Sequence, residues 1–458
     1  MHNTHSPSEN GQVLVILVLV IVGLLAFTAL AVDGGMIFSD RRGAQNAADA
    51  AVLAGGYRVA NTLEDFNLGF NLTYENWDCT AVQPVMDIAE GEAYTQASTN
   101  SYPIIGDGSL TMSCENGEDF GSYLDKYVDT DAQIVSEVST TFVHFAFDGP
   151  LQNTVQAISR VRPRMPLAFG YAIYAHRDDC PNSNTGGVHF TGDNLVNIQH
   201  AGIMSDACMD ANGSVVVDVA CSDSNDPTCD INYITDYAPS GSPVVNPPPT
   251  PQSNPLPDWA LLFPEPDCSG LSNQSSPNNG GPVSPGIYNG GLTVNGGDNL
   301  VMSPGLYCLN GDFQITGGTV QGPDVDNNPD STNPAVVTIY LMCDGCSYNS
   351  SGNADIYLSA PNYVANHNDG VAGMLIYLDK DNGGQVNLLG GLDSYYNGTV
   401  FGPHEDSQCE VGGTSSLMSI FNTQIICGTI FIHGNAQINI NFDQNNVYYL
   451  PARLTLEK

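Results

Sequence analysis

From Val13 to Val32 the chain reads VLVILVLVIVGLLAFTALAV, a run with no charge and no proline. At the helical rise such a run covers about 30 Å, the thickness of a bilayer's hydrocarbon core. In lipid, a helix leaves no backbone group of a single span unpaired. The pattern therefore predicts one membrane-spanning helix near the N-terminus and a large polar remainder. A cleaved signal peptide would have a shorter apolar core behind positive charge. The preceding MHNTHSPSENG holds no Lys or Arg. Ala29 and Ala31 have the spacing of a cleavage site, but a retained anchor is the expectation.

Beyond the span the periodicity changes. Gln45 to Ala54 is rich in Ala and favours helix, and Gly55-Gly56 is expected to end it. Ala44, Ala47, Ala48 and Ala51 line a narrow face that lets a second helix approach closely, or else an ordinary surface helix. Asn61 to Pro163 reads as a mixed α+β module, with a short helix at Ala89–Ser98. Two alternating strands follow: Ala132–Thr141, with Ile134, Ser136 and Val138 on one face, and Thr154–Val161, with Val155, Ala157, Ser159 and Val161 opposite Gln156, Ile158 and Arg160.

The C-terminal half is punctuated by Gly and Asn. Gly192 to Ile203 reads as strand-turn-strand. Pro239 to Pro266 should be extended and kept out of a sheet interior. Ser284-Pro285-Gly286-Ile287-Tyr288 recurs as Ser303-Pro304-Gly305-Leu306-Tyr307, each copy followed by a Gly-bounded strand. Their spacing of nineteen residues is that of a solenoid coil, whose apolar stripe is covered only by the next coil. Val336–Leu341, Asp355–Leu358, Met374–Leu378, Val386–Leu388, Thr399–Phe401, Thr429–Ile432 and Gln437–Phe442 fit the same scheme. In the last, Ile438, Ile440 and Phe442 point inward, and Asn439 and Asn441 outward or into a ladder. The expected fold class is mainly β with an N-terminal transmembrane α-helix. A small α+β module leads into a right-handed parallel β-helix-like domain, with a jelly roll or antiparallel sandwich as the alternative. The expected segments are a tail at 1–12, membrane and juxtamembrane helices at 13–56, the module at 57–165, and the coil domain at 166–458 with a proline-rich excursion at 239–267.

Charge narrows the partners. Against 11 Lys and Arg stand 49 Asp and Glu, a formal net charge of −38. Such a surface repels phosphate backbones, so nucleic acid is excluded as a partner, and polyanionic glycans are disfavoured. Twelve cysteines are the disulfide candidates: Cys79, Cys114, Cys180, Cys208, Cys221, Cys229, Cys268, Cys308, Cys343, Cys346, Cys409 and Cys427. Behind a membrane anchor they point to an oxidising compartment. Zinc is the rival use, but the one C-x-x-C, Cys343-Asp-Gly-Cys346, has no second pair. Arg41 and Arg42 follow the span and no basic residue precedes it, so the positive-inside rule alone would put the bulk of the chain in the cytoplasm. The cysteines argue for the opposite side.

The stretch GQVLVILVLVIVGLLAFTALAVDGGMIFSDRRGAQNAADAAVLAGG resembles the N-terminal segment of TadE/TadG-like tight-adherence (Flp) pilus-assembly proteins. The marks are Gly11-Gln12 opening the apolar run, Ala31-Val32-Asp33 closing it, Arg41-Arg42, and the box Gln45-Asn46-Ala47-Ala48-Asp49-Ala50-Ala51 with Leu53-Ala54-Gly55 behind it. Val138 to Phe147, the following AISRVRP, Pro166 to Pro181 and the section Val336 to His433 are more loosely similar to long TadG-like members. Ile16 stands where pilin-type substrates carry Glu, and the D-x-S-x-S metal site of some TadG-like proteins is absent. The resemblance implies an anchored envelope component of a pilus system rather than the major pilin. Its implied partners are membrane lipid and other pilus-assembly proteins reached through the juxtamembrane helix, and it leaves the oligomeric state open. The bulk of the chain is then extracytoplasmic or at the cell surface.

Two kinds of chemistry compete with that reading. Many β-helices act on polysaccharides, and Asp355, Asp369, Asp379, Asp381, Asp393, Glu405 and Asp406 are candidate acids. Glycoside hydrolysis needs two carboxylates about 5–10 Å apart. His404-Glu405-Asp406 reads as a surface loop, and no G-x-S-x-G, H-E-x-x-H or P-loop occurs. Asp324, Asp326, Asn328 and Asp330 have the spacing of a calcium loop, but Pro329 stands where Gly is needed and Ala335 where the bidentate Glu belongs. No catalytic residue and no cofactor is expected. The expected function is a non-catalytic structural or assembly role in a tight-adherence pilus system. A surface adhesin binding glycans through the β domain is the alternative, and a carbohydrate-active enzyme the third.

Overall fold

A computed structural model describes the chain apart from residues 1–9, 67, 69–76, 117–125, 139, 143–149, 182–185, 221–228, 325–332, 352, 363–369, 390, 392–393, 414–418, 435–436, 444 and 458. The side chains of 10–12, 259, 419 and 420 are also outside the description. Cys221, Asp326, Asn328, Asp330, Asp369 and Asp393 lie outside the described residues, as does the run after Phe142. The chain divides into two units: one of residues 1–70, 75–164 and 452–458, the other of 71–74 and 165–451.

In the first unit one helix, α1 (Asn10–Asp65), runs without a break through the apolar span and the Ala-rich box. The expected stop at Gly55-Gly56 does not occur. Their role is close approach. A Cβ on Gly56 would stand 2.5 Å from Leu454 Cδ1 and 2.9 Å from Ser159 Oγ, and one on Gly55 would stand 3.2 Å from Ala93 Cβ. Glycine inside a helix costs about 1 kcal/mol against alanine. Here that cost is offset by letting the helix backbone lie directly on the sheet, where Ser159 Oγ donates to Val52 O at 2.6 Å.

The second helix, α2 (Cys79–Thr99), opens with Asp78 accepting the Thr80 N–H and buries Val82, Val85, Met86, Ala89, Ala93 and Ala97. Strands β1 (Ser109–Glu115), β2 (Tyr127–Val138) and β3 (Leu151–Arg162) pair antiparallel, and the final strand Arg453–Glu457 joins β3 as the fourth. The coil domain expected to run to residue 458 therefore hands its last residues to this sheet. Ile134, Ser136 and Val138 of β2 and Val155, Ala157, Ser159 and Val161 of β3 are buried. Of these, Ile134, Val155 and Ala157 form the floor on which Ala44, Ala47, Ala48, Ala51 and Val52 of α1 and Ala93 and Ala97 of α2 pack. Cys79–Cys114 ties α2 to β1.

The second unit is a stack of short strands. Every described pairing is parallel except Met165–Pro166 with Tyr449–Leu450. The antiparallel sandwich alternative is therefore not realised. The two Ser-Pro-Gly-x-Tyr copies fall on successive coils. Tyr288 and Tyr307 donate to Ser284 O and Ser303 O at 2.7 and 2.8 Å, and their rings stack at 5.9 Å. Each tyrosine thus closes its own turn.

The winding order is not the chain order. One sheet runs, in space, from Tyr237–Gly241 through Met209–Gly213 and Gly187–Gly192 to Thr429–Gly434. It then continues through Gln408–Gly413, Gln385–Leu388, Tyr348–Ser350 and Phe313–Ile315 to Leu292–Val294. The chain enters mid-stack, winds out to one end, crosses to the other, and winds back to its entry. At the seam, Gln437–Asn441 and Ile173–Ala175 lie end to end along the single long strand Ser419–Cys427. Two ends of the domain share one coil.

The proline-rich stretch has two roles. Pro239 and Pro251 sit in strands of the terminal coil, each paired on one side only, where a missing N–H costs no ladder bond. Residues 252–280 form the crossing strap, fastened coil by coil. Leu256 N–H reaches Asp206, and the Phe263 ring lies 4.6 Å from that of Tyr377 and 4.7 Å from that of Tyr448. Farther on, Glu265 pairs with Lys380 at 2.7 Å, and Cys268 bonds Cys308.

Across the seam Gly434, Gly192, Gly213 and Gly241 stack in register. All four have positive φ, and a Cβ on Gly192 would sit 2.5 Å from Gly434 O. Gly192→Ala is expected to cost about 2 kcal/mol or more. Gly290→Ala, which meets nothing within 4 Å, should be near neutral. Thermal unfolding of the two variants checks this, and equal midpoints would contradict it.

Candidate functional site

The residues singled out in the sequence gather on α1 from its uncovered, apolar half into the first unit. Val13 to Val32 is uncovered. Gly11 and Gln12 lie in α1, and Val32 is exposed. Asp33 is buried. Its carboxylate accepts the backbone N–H of Thr141 and of Phe142, both at 2.8 Å. One heptad on, and so on nearly the same helix face, Asp40 accepts from Tyr102 Oη at 3.2 Å, from Asn153 Nδ2 at 2.8 Å and from Ser136 Oγ. Burial, and then Asp40, push the Tyr102 hydroxyl above its ordinary pKa, so it stays a donor. Two acids at i and i+7 facing a sheet are a legible signal of a fastened helix. In the sequence Asp33 marks only the close of the apolar run.

In the box, Gln45 Nε2 donates to Asp49 Oδ1 at 2.8 Å and to Gln156 O at 3.2 Å. Asn46 is exposed, Asp49 and Ala50 are half-buried, and Ala47, Ala48 and Ala51 are fully buried. The helix that comes close to the small-residue face is α2 of the same chain. Arg41, Arg42, Asn46, Leu53, Tyr57 and Arg58 are left facing outward. Beside Asp40 opens a cleft of about 610 Å³ whose lining includes Tyr102, Ile105, Asp107, Ser136, Glu137 and Gln152.

The candidate acids of the second unit are engaged in turns or lie apart. Asp379 accepts from Tyr340 Oη and from the Asp381 N–H, Asp406 pairs with Arg177 at 2.6 Å, and Asp355, Asp381 and Glu405 are exposed. Among the described residues no group of three His, Cys, Asp or Glu could hold a metal ion. Asp324 is exposed. Cys343 and Cys346 are bonded to each other, as are Cys180–Cys208 and Cys409–Cys427. Cys229 is also disulfide-bonded.

Sequence reasoning missed a buried carboxylate. Asp206 lies under Tyr174 Oη, and burial pushes it up to about 7. A carboxylate whose pKa is raised on folding favours the folded state below the unfolded pKa, and that contribution is lost as pH rises through the folded pKa.

Residues 11–59 match a protein-family model described as "Putative Flp pilus-assembly TadE/G-like". The match covers α1 from the start of the apolar run to Val59, which is buried in the first unit. No curated protein and no solved structure matches the chain.

Stability should therefore fall between about pH 4 and pH 7 by an amount on the order of a few kcal/mol. Asp206→Asn should flatten that slope and raise the unfolding midpoint at neutral pH. Unfolding midpoints across this window check it, and an unchanged slope in the variant would contradict it.

Proposed function

We propose that this chain is a membrane-anchored, extracytoplasmic component of a tight-adherence (Flp) pilus system with a non-catalytic, structural role in assembly. The observation that carries the reading is the coincidence of the TadE/G-like match at 11–59 with a single helix. The N-terminal half of that helix is uncovered and apolar, and its C-terminal half is the core of a folded unit. Extracytoplasmic placement is supported by the disulfides of both units, bonds that persist in oxidising compartments. Partner proteins would be met on the outward face of α1 at Arg41, Arg42, Asn46, Leu53, Tyr57 and Arg58, because the small-residue face is filled from within the chain.

Removing the reading frame from its source cells should abolish or reduce Flp pili and adherence. The full chain, but not a secreted form lacking 13–32, should restore them. Piliation unchanged by the deletion would reject the proposal.

A second reading, a surface adhesin that binds glycans through the coiled unit, is favoured by one outward row. Asn246, Asp218, Asn197 and Asn439 are in register on successive strands, and Tyr395 and Tyr357 continue the row beyond Ile420. In so acidic a chain this row holds one carboxylate. Amides and tyrosine rings at strand spacing suit a neutral sugar chain better than a charged one. On an array of neutral glycans the full chain should then bind, and a Tyr357→Ala, Tyr395→Ala variant should not. Silence of the wild type would remove this reading.

A further inference from the structure

We infer that the first unit docks directly onto the bilayer surface, with Phe142, Phe38 and Met36 forming an apolar collar in the headgroup layer around the emerging helix. The inference rests on the membrane-anchor reading and adds to it a second, peripheral contact with lipid.

Depth along α1 can be counted from the sequence. Val13 to Val32 fills the hydrocarbon core at about 1.5 Å per residue, so Asp33 stands at its boundary. A bare carboxylate there would be costly. This one is satisfied by two backbone N–H groups, and those donors belong to Thr141 and Phe142. The clamp therefore fixes where the turn after β2 lies: at the depth of Asp33, with no spacer between span and folded unit.

Phe142 is not tucked away at that depth. It is 43% exposed, and Phe38 and Met36, within about 8 Å along the helix, are 74% and 39% exposed. The headgroup layer adds about 5–8 Å beyond the hydrocarbon on each side, so all three fall within it. Aromatic rings are favoured at that level. Arg41 and Arg42, also exposed, follow about 12 and 13.5 Å beyond Asp33, just outside that layer, where their long side chains can reach back to the lipid phosphates. Apolar groups below and cations above match the bilayer's own layering. Continuity with the uncovered span selects lipid as the occupant over a protein partner.

Full-length chain in phosphatidylcholine vesicles carrying Phe142→Trp, with wild-type emission subtracted, provides the test. Lipids brominated near the headgroup end of the acyl chain should quench the added tryptophan more than lipids brominated near its middle. Phe38→Trp, on a helix face that needs no repacking, should behave the same way and serves if the first variant does not fold. Leu25→Trp is the control within the span, quenched most by the deeper bromines. If Leu25→Trp is quenched while neither Phe142→Trp nor Phe38→Trp loses emission, the docking inference is overturned and the anchor stands. If Leu25→Trp is not quenched either, the anchor reading falls and the docking inference with it. A blue-shifted but unquenched Phe142→Trp would mean a protein covers the collar, which also overturns it.

Discussion

Helix α1 has to satisfy two environments with one backbone, and the rest of the first unit is arranged around that demand. Up to Val32 its surface is uncovered apolar side chain suited to lipid. From Ala44 to Gly56 one stripe is mostly Ala and Gly, with Val52 the one larger side chain on it, so that α2 and the sheet lie against it. Large side chains on that stripe would hold the sheet away, and a break between the halves would leave unpaired backbone groups where they meet. Asp33 and Asp40 fasten the helix where the environments meet, with their charge satisfied by the turn after β2 and by the hydroxyls and amide around Asp40. The uncovered apolar segment and the folded unit are thereby joined in one continuous helix.

The second unit obeys a different constraint. A solenoid must cover the apolar stripe of every coil, and this one does so with a chain that starts and finishes in the same coil. The arrangement accounts for the proline-rich stretch, which closes one end and then crosses the stack, and for the glycines stacked across the seam. It also returns Arg453–Glu457 to the first unit, where they complete the sheet. Residues 165–451 of the coiled unit are thus inserted in the chain between β3 and the final strand.

Much of this was legible in the sequence, because local physics decides it. The apolar run, the alternation in β2 and β3, the tyrosine-closed repeat and the inward Ile438 and Ile440 all follow from side-chain period. What was not legible depended on distant partners. Gly55-Gly56 has the local form of a helix stop, and only Leu454 and Ser159, far along the chain, give it another use. The seam cannot be seen in any window, because Asn197 and Asn439 meet only after the whole domain has wound. At the site, the Ala box was visible from composition. That α2 would cover it, and that Asp33 would hold residues 141 and 142, required the tertiary fold.

The continuity of α1 is the claim on which the proposed role, the lipid collar and the assignment of outward residues all depend. Spin labels at Leu24 and Asn61, both exposed, measured by pulsed dipolar spectroscopy on full-length chain in nanodiscs, test it most directly. An unbroken helix predicts one narrow distance near 55 Å, about 1.5 Å for each of the intervening residues. A broad distribution, or a peak well short of that length, would mean a joint at Gly34-Gly35 or Gly55-Gly56 and would contradict the account.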